Sequence, residues 1–315
     1  MNFFTSRSLR PLAAAMLLCT LAACGGGRDP VLGFDGAAAG APGAPGAPGA
    51  PGAPGVPGGG GPVIPPVALA LGTVASYGAF GGSAGITNQG LNTVINGDIG
   101  TTAVSTSVTG FHSPTPNCIY TETPLNVGNV TGAIFTDAPP PTGACPSEGT
   151  AVTFAAATLA RADALAAYNE LVAKPAGPNA GAGNLANLTL APGTYTSAAG
   201  GFLIEGGNLT LDAQGDANAV WTFQMATTLT VGGPGATAPS SIILTNGAQA
   251  KNVFWQVGSA ATINAAGGGT MAGTVISQSG VAISTPGNVA IVTINGRVLS
   301  LGASVTMVNT VINLP

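Results

Sequence analysis

From residue 188 to the end of the chain, short apolar runs alternate with polar residues and break at Gly, Asn, Ser and Asp at turn-like intervals. Leu209-Thr210-Leu211, Thr228-Leu229-Thr230-Val231, Thr262-Ile263-Asn264 and Ser304-Val305-Thr306-Met307 show the period of two expected of strands with one buried face. If Leu209, Leu211, Leu229, Val231, Ile263, Val275, Ile283, Ile294, Val305 and Met307 point inward, the alternation sends Thr210, Thr228, Thr230, Thr262, Asn264, Thr274, Ser284, Thr293, Ser304 and Thr306 outward. Strand-like pieces also occur upstream, at 77–80, 92–95 and 104–108. Only one segment, 153–174, reads as a helix: it is dense in Ala and Leu, Thr150 or Thr153 can cap its start, and Pro175 blocks its continuation. Leu159, Ala162, Ala166 and Asn169 form one stripe, flanked by Leu165, Tyr168 and Val172, and this broad face is expected to be buried. Glu170 and Lys174 are spaced to pair along the helix. Many short strands with one long helix predict an all-β solenoid with the helix packed along one side.

Before residue 67 the pattern disappears. Arg7 and Arg10 precede a short apolar core from Pro11 to Leu21, which fits a cleaved export signal over 1–23. The following Leu21-Ala22-Ala23-Cys24 resembles a bacterial lipobox, implying cleavage before Cys24, acylation of its thiol and, with Gly25 next, sorting to the outer membrane. An ordinary secretory signal cut near Ala23 is the alternative. Residues 24–66 read as a tether, within which Gly-Ala-Pro repeats six times from Gly40 to Pro57, with Val56 replacing Ala once. Glycine at every third position is collagen-like, but a polyproline-II spacer reaching roughly 55 Å is the plainer reading. The folded domain is expected over 67–315.

Composition narrows the chemistry. Charged residues are 6% of the chain and the formal net charge is −4, so charge repulsion does not keep this chain unfolded. After Arg28 the only basic residues are Arg161, Lys174, Lys251 and Arg297, too few and too scattered to track a phosphate backbone; nucleic acid is not an expected partner. With Cys19 in the signal and Cys24 at the lipidation site, Cys118 and Cys145 remain, best read as a disulfide in an oxidising compartment, with two buried thiols as the alternative. The bond would order the Pro- and Thr-rich segment 114–149, read as an inserted cap loop. No catalytic site is expected. Asp212 and Asp216 sit in a turn, where each is expected to cap its own backbone. His112 is the only histidine and has no evident acidic neighbour in sequence, so neither a triad nor a histidine metal site is expected. Neither of the Gly clusters at 81–85 and 267–269 has the Lys of a phosphate loop. Trp221 and Trp255 follow the strand alternation into the core.

Several segments carry a resemblance in their order as well as their residues. They are Gly97-Asp-Ile-Gly100, Val108-Thr-Gly-Phe111, Ala167-Tyr-Asn-Glu-Leu171, Leu188-Thr-Leu-Ala-Pro-Gly-Thr-Tyr195, Leu209-Thr-Leu-Asp-Ala-Gln-Gly-Asp216, Asn252-Val-Phe-Trp-Gln-Val-Gly-Ser-Ala-Ala-Thr262, Asn295-Gly-Arg-Val-Leu299 and Ala303-Ser-Val-Thr-Met-Val-Asn-Thr-Val-Ile312. The set resembles the microbial ice-binding protein family typified by the DUF3494 domain, over roughly 67–315. That resemblance implies a right-handed, discontinuous β-solenoid of triangular cross-section, no enzymatic activity, no cofactor or metal, and ice as the partner. The ten outward residues named above are then the ice-binding candidates: a Thr offers a methyl and a hydroxyl together, and strand stacking fixes their interval. A monomer touching the membrane only through its lipid anchor is expected. A surface adhesin or structural module binding polysaccharide or another cell is the competing expectation, since the tether and anchor suit it equally. A chain with 5% aromatic residues supplies few platforms for sugar stacking.

Overall fold

The computed structural model describes residues 69–114 and 117–315; the signal segment, Cys24 and the tether lie outside the described residues. The chain winds into stacked coils, and each full coil gives strands to three faces. Seven strands form one parallel face, in the order Phe202–Ile204, Leu229–Val231, Ala261–Ile263, Val281–Ile283, Val305–Met307, Ile86–Asn88 and Val108–Thr109. The order jumps from residue 305 back to residue 86, because N-terminal strands stack beyond the C-terminal coil. This is the expected discontinuous solenoid, with the helix inserted in sequence between its two parts.

A 13-stranded sheet makes the face beneath the helix and folds round a corner into part of the third face. Thr270–Ser277 and Val292–Ser300 are the strands that turn the corner. The first half of Val292–Ser300 pairs with Thr310–Asn313, and its last residues pair with Tyr77–Gly81. Gly273 and Gly296 are in register at the bend, where a Cβ on Gly296 would lie 1.8 Å from the Gly273 carbonyl oxygen. Only glycine allows these backbones so close. A three-stranded sheet of Thr189–Leu190, Leu209–Asp212 and Ile242–Thr245 completes the third face.

Between the faces lies a continuous apolar core. Trp221 and Trp255 are fully buried, as the alternation predicts; their indole N–H groups donate to the carbonyls of Leu190 (3.2 Å) and Ala272 (2.9 Å). Phe223 stacks on Trp255 with centroids 4.0 Å apart, placing aromatic rings of neighbouring coils face to face.

The helix runs from Ala151 to Ala173, with Thr150 as N-cap. The Thr150 hydroxyl accepts from the Thr153 N–H (3.2 Å), and the Thr153 hydroxyl accepts from the Thr150 N–H (2.8 Å). Its buried face differs from the expected one. Ala157, Ala160, Ala164, Ala167, Tyr168 and Leu171 pack inward, whereas Leu159, Leu165 and Val172 are 52%, 43% and 51% exposed. Alanines at alternating spacings of three and four let the helix backbone lie close to Phe80, Phe254, Ile276 and Leu299. Leucine in those positions would hold it off. Lys174 leaves the helix with extended backbone, and the expected Glu170–Lys174 pair does not form among the described residues.

At one end of the stack Cys118 and Cys145 are bonded and buried in the core. The segment expected as a loop contributes more than a loop. Ile119–Tyr120 pairs antiparallel with Phe111–His112, and Gly128–Val130 and Ile134–Asp137 join the 13-stranded sheet.

Candidate functional site

The seven-stranded face is built from strands of two or three residues, and in each the outward side chain lies beside inward neighbours. Along the stack these outward residues are Leu203, Thr230, Thr262, Ala282, Thr306, Thr87 and Thr109, paired in register from coil to coil. Parallel pairing spaces them by about 4.8 Å. A second row lies two residues earlier on each strand. Phe202 N donates to Thr228 O, Leu229 N to Ala260 O, Ala261 N to Gly280 O, Val281 N to Ser304 O and Val305 N to Gly85 O, so Gly201, Thr228, Ala260, Gly280, Ser304 and Gly85 follow one another. The rows are separated by roughly 6.6 Å, two residues of extended chain. Neither row contains a charged residue, and nothing larger than Thr occurs except Leu203 at one end. The result is flat, uncharged and regularly studded with hydroxyls and methyls.

Five of the ten predicted residues lie in these rows: Thr228, Thr230, Thr262, Ser304 and Thr306. Two others point outward on the third face, Thr210 between Thr189 and Ile243, and Thr293 between Thr270 and Val311. The remaining three do not face solvent. Asn264 is fully buried at a corner, with φ of 46°; its side chain accepts from Ser240 N and donates to Ser240 O, each at 3.0 Å. Ser284 is 7% exposed in the same left-handed conformation. The alternation ends at Ile263 and Ile283 because each strand stops after three residues, and the next residue must turn. Asn tolerates that backbone and caps the turn through its own amide. Thr274 is buried on the helix side, in register between Phe254 and Arg297. The sequence reading missed Thr87 and Thr109. Each follows a buried apolar residue, Ile86 or Val108, but nothing in the local pattern indicates that they extend the row beyond Thr306.

Elsewhere the polar groups are engaged in local structure. Asp212 accepts from Gln214 N and from the Asn246 side chain, both at 2.8 Å, and these bonds hold its carboxyl below the usual range. Asp216 accepts from Asn218 N at 2.8 Å, so both acids cap turns as predicted. His112, expected to lack an acidic neighbour, has one: its Nδ1 lies 2.6 Å from Glu122 Oε1, brought there by the antiparallel pairing of 111–112 with 119–120. Glu148 accepts from the Ser113 hydroxyl (2.8 Å) and the Tyr120 phenol (2.6 Å), tying the disulfide end together. A groove of about 590 Å³ between 205–208 and 234–239 contains one ionisable side chain, Glu205, and so offers no second acid or base to pair with it. On the third face Asn96 donates to Asn313 (2.8 Å) and Asn313 to Asn295 (3.1 Å), an amide ladder across three coils.

Comparison with known proteins points the same way as this geometry. The family model described as Ice-binding-like matches residues 80–313. An ice-binding protein of Nostoc sp. (strain HG1) is 33% identical over 237 residues, covering 75% of this chain and 71% of that protein. Among solved structures, the DUF3494 domain of Shewanella frigidimarina ice-binding protein 1 superposes with a TM-score of 0.63 at 28% identity, over 79% of this chain and 98% of that one. The ice-binding protein of the Antarctic ascomycete Antarctomyces psychrotrophicus gives 0.57 at 33% identity, over 79% and 98%.

Proposed function

The chain belongs to the ice-binding-like family, and from that membership and its flat face we infer that the domain adsorbs to ice and inhibits its growth or recrystallisation. The single observation that carries the choice of surface is the row Thr230, Thr262, Ala282, Thr306, Thr87, Thr109, in register across six coils. Methyl groups at that interval order neighbouring water, and the hydroxyls between them hydrogen-bond it, so the first layer is already close to a lattice. The rows belong to a hydrogen-bonded sheet, so little conformational freedom is lost on adsorption. Adsorbed molecules pin the ice front; growth between them must curve, which is unfavourable. No turnover and no cofactor enter this mechanism.

The N-terminal sequence supports a location. The basic start, short apolar core and Leu21-Ala22-Ala23-Cys24 favour an exported chain acylated at Cys24, with the Gly-Ala-Pro tether setting the ice-adsorbing domain off the outer membrane. Mass spectrometry of the mature chain tests this: an unmodified Cys24 refutes it.

Thermal hysteresis and recrystallisation assays with single substitutions test the surface. Thr262→Tyr and Thr306→Tyr place a ring in the flat row and are expected to abolish most of the activity. Thr293→Tyr, on the third face, is expected to leave it intact. An unmutated protein without effect on ice at high concentration overturns the function; full activity in both flat-face variants overturns the choice of face.

A further inference from the structure

Asparagine precedes glycine three times in this chain, at 96–97, 246–247 and 295–296. At such a step no Cβ shields the glycine amide nitrogen, which can attack the carbonyl carbon of the asparagine side chain. The fold treats the three differently. Asn96 and Asn295 are the two ends of the amide ladder through Asn313. The Gly97 N–H donates to the Thr131 hydroxyl (3.1 Å), and Gly296 is buried within the strand Val292–Ser300. Both glycines are also hemmed in: a Cβ on Gly97 would lie 2.8 Å from the Leu314 side chain, and Gly296 has the Gly273 contact at the bend. Asn246 and Gly247 instead lie exposed at the centre of a four-residue turn, closed by Ala248 N donating to Thr245 O (3.0 Å). Their φ values of 52° and 94° give it the left-handed form of a type I′ turn. A Cβ on Gly247 would meet nothing closer than 3.9 Å beyond its chain neighbours, and the Gly247 N–H has no acceptor among the described residues. Asp212 accepts from Asn246 Nδ2 (2.8 Å), which leaves Asn246 Cγ open to attack.

We propose that Asn246 is a site of spontaneous deamidation, singled out from the other two by the fold. The Gly247 nitrogen forms a bond to Asn246 Cγ and loses its proton, Nδ2 departs as ammonia, and a cyclic imide closes. Water then opens the imide at one of its two carbonyls, leaving aspartate or isoaspartate at 246. Water is the only co-reactant, and nothing is oxidised or reduced. The product disturbs what surrounds it. Where the amide now donates, a second carboxylate arrives beside Asp212, which Gln214 N already holds ionised. The bond is lost and like charges face each other. In isoaspartate the chain runs through Cγ, so the Asn246 carbonyl that accepts from Gly215 N (3.0 Å) becomes a free carboxylate and the neighbouring turn loses its anchor. Each event adds one negative charge to a chain whose formal net charge is −4.

The test is peptide mass spectrometry of the full chain after incubation at mildly alkaline pH, with aspartate and isoaspartate separated from asparagine by chromatography. In the folded protein, conversion at Asn246 is expected to run at least about tenfold faster than at Asn96 or Asn295, because those strands must open first. In urea the three rates are expected to converge. Asn246→Gln is expected to remove the fast conversion, and with it the acidic shift in isoelectric focusing, while the other two sites are unchanged. Equal rates at the three sites in the folded protein, or a faster rate at Asn96 or Asn295, overturn the proposal. So does an Asn246 that stays intact in the folded protein while the urea-unfolded chain converts. The readout does not involve ice, so its failure leaves the ice-adsorbing function untouched.

Discussion

Gln224 and Gln256 occupy the same register on neighbouring strands and attach the helix to the sheet in different ways. Gln224 donates to the carbonyls of Leu171 (2.8 Å) and Lys174 (2.9 Å) at the helix end, and Gln256 donates to the Tyr168 hydroxyl (2.7 Å). Gln224→Leu leaves helix-end carbonyls without their donor, and urea unfolding is expected to show a loss of about 1–3 kcal/mol. The tyrosines provide a second test. Burial raises the pKa of Tyr77 and Tyr120, with Asp98 reinforcing the shift in the first and the hydrogen-bonded Glu148 in the second. A folded-state pKa above the unfolded value of about 10 gives stability that is fully present below pH 10 and falls as pH rises beyond it. Melting temperature is expected to decline above that pH, and Tyr120→Phe to lessen the decline. Most inward residues were legible from alternation alone, Trp221 and Trp255 included. Of the three residues that alternation misplaced, Asn264 and Ser284 sit one position past the end of a strand, where a left-handed turn replaces the pleat, and Thr274 lies within a strand that is buried on both faces. Periodicity carries no information about where a three-residue strand stops.

Among elements, the helix shows what sequence patterns can and cannot reveal. Its position was legible within two residues at the start and one at the end, because alanine density, the Thr150 cap and Pro175 are local signals. Its buried face was not. A seam of alanines has little hydrophobic contrast with the leucines on the opposite side, and only the sheet beneath determines that small side chains belong inside. Ala164→Leu is therefore expected to destabilise the domain by about 1–3 kcal/mol through overpacking, measured by thermal or chemical unfolding. The flat face makes the opposite kind of prediction. Ala282 is the one rung between Thr230 and Thr109 without a hydroxyl. Ala282→Thr completes the row at a partly exposed site, and a gain in thermal hysteresis at unchanged stability is expected.

For the whole molecule, the disulfide and the stacking order dominate. Cys118 and Cys145 close a loop of 27 residues in sequence separation at one end of the core. Replacing both by Ser is expected to cost about 2–5 kcal/mol, with the loss appearing as a lowered melting temperature. A disulfide was legible from the cysteine count, but the strands between the two cysteines were not, because Gly128–Val130 and Ile134–Asp137 take their places only against coils made elsewhere in the chain. The order of coils had no local signal either: Ile86 pairs with Val305 across 219 positions, and the same short strand motif would fit either end of a stack.

That pairing also governs when the protein can fold. A ribosome makes Ile86–Asn88 early and Val305–Met307 almost last, so the early strand has Val108–Thr109 on one side but lacks its other neighbour until synthesis is nearly complete. Contacts so distant in sequence form slowly and close only when both partners are present. The N-terminal coils of a nascent chain therefore cannot join the rest of the stack until its final residues emerge, and the last strands made complete a sheet whose far end was among the first.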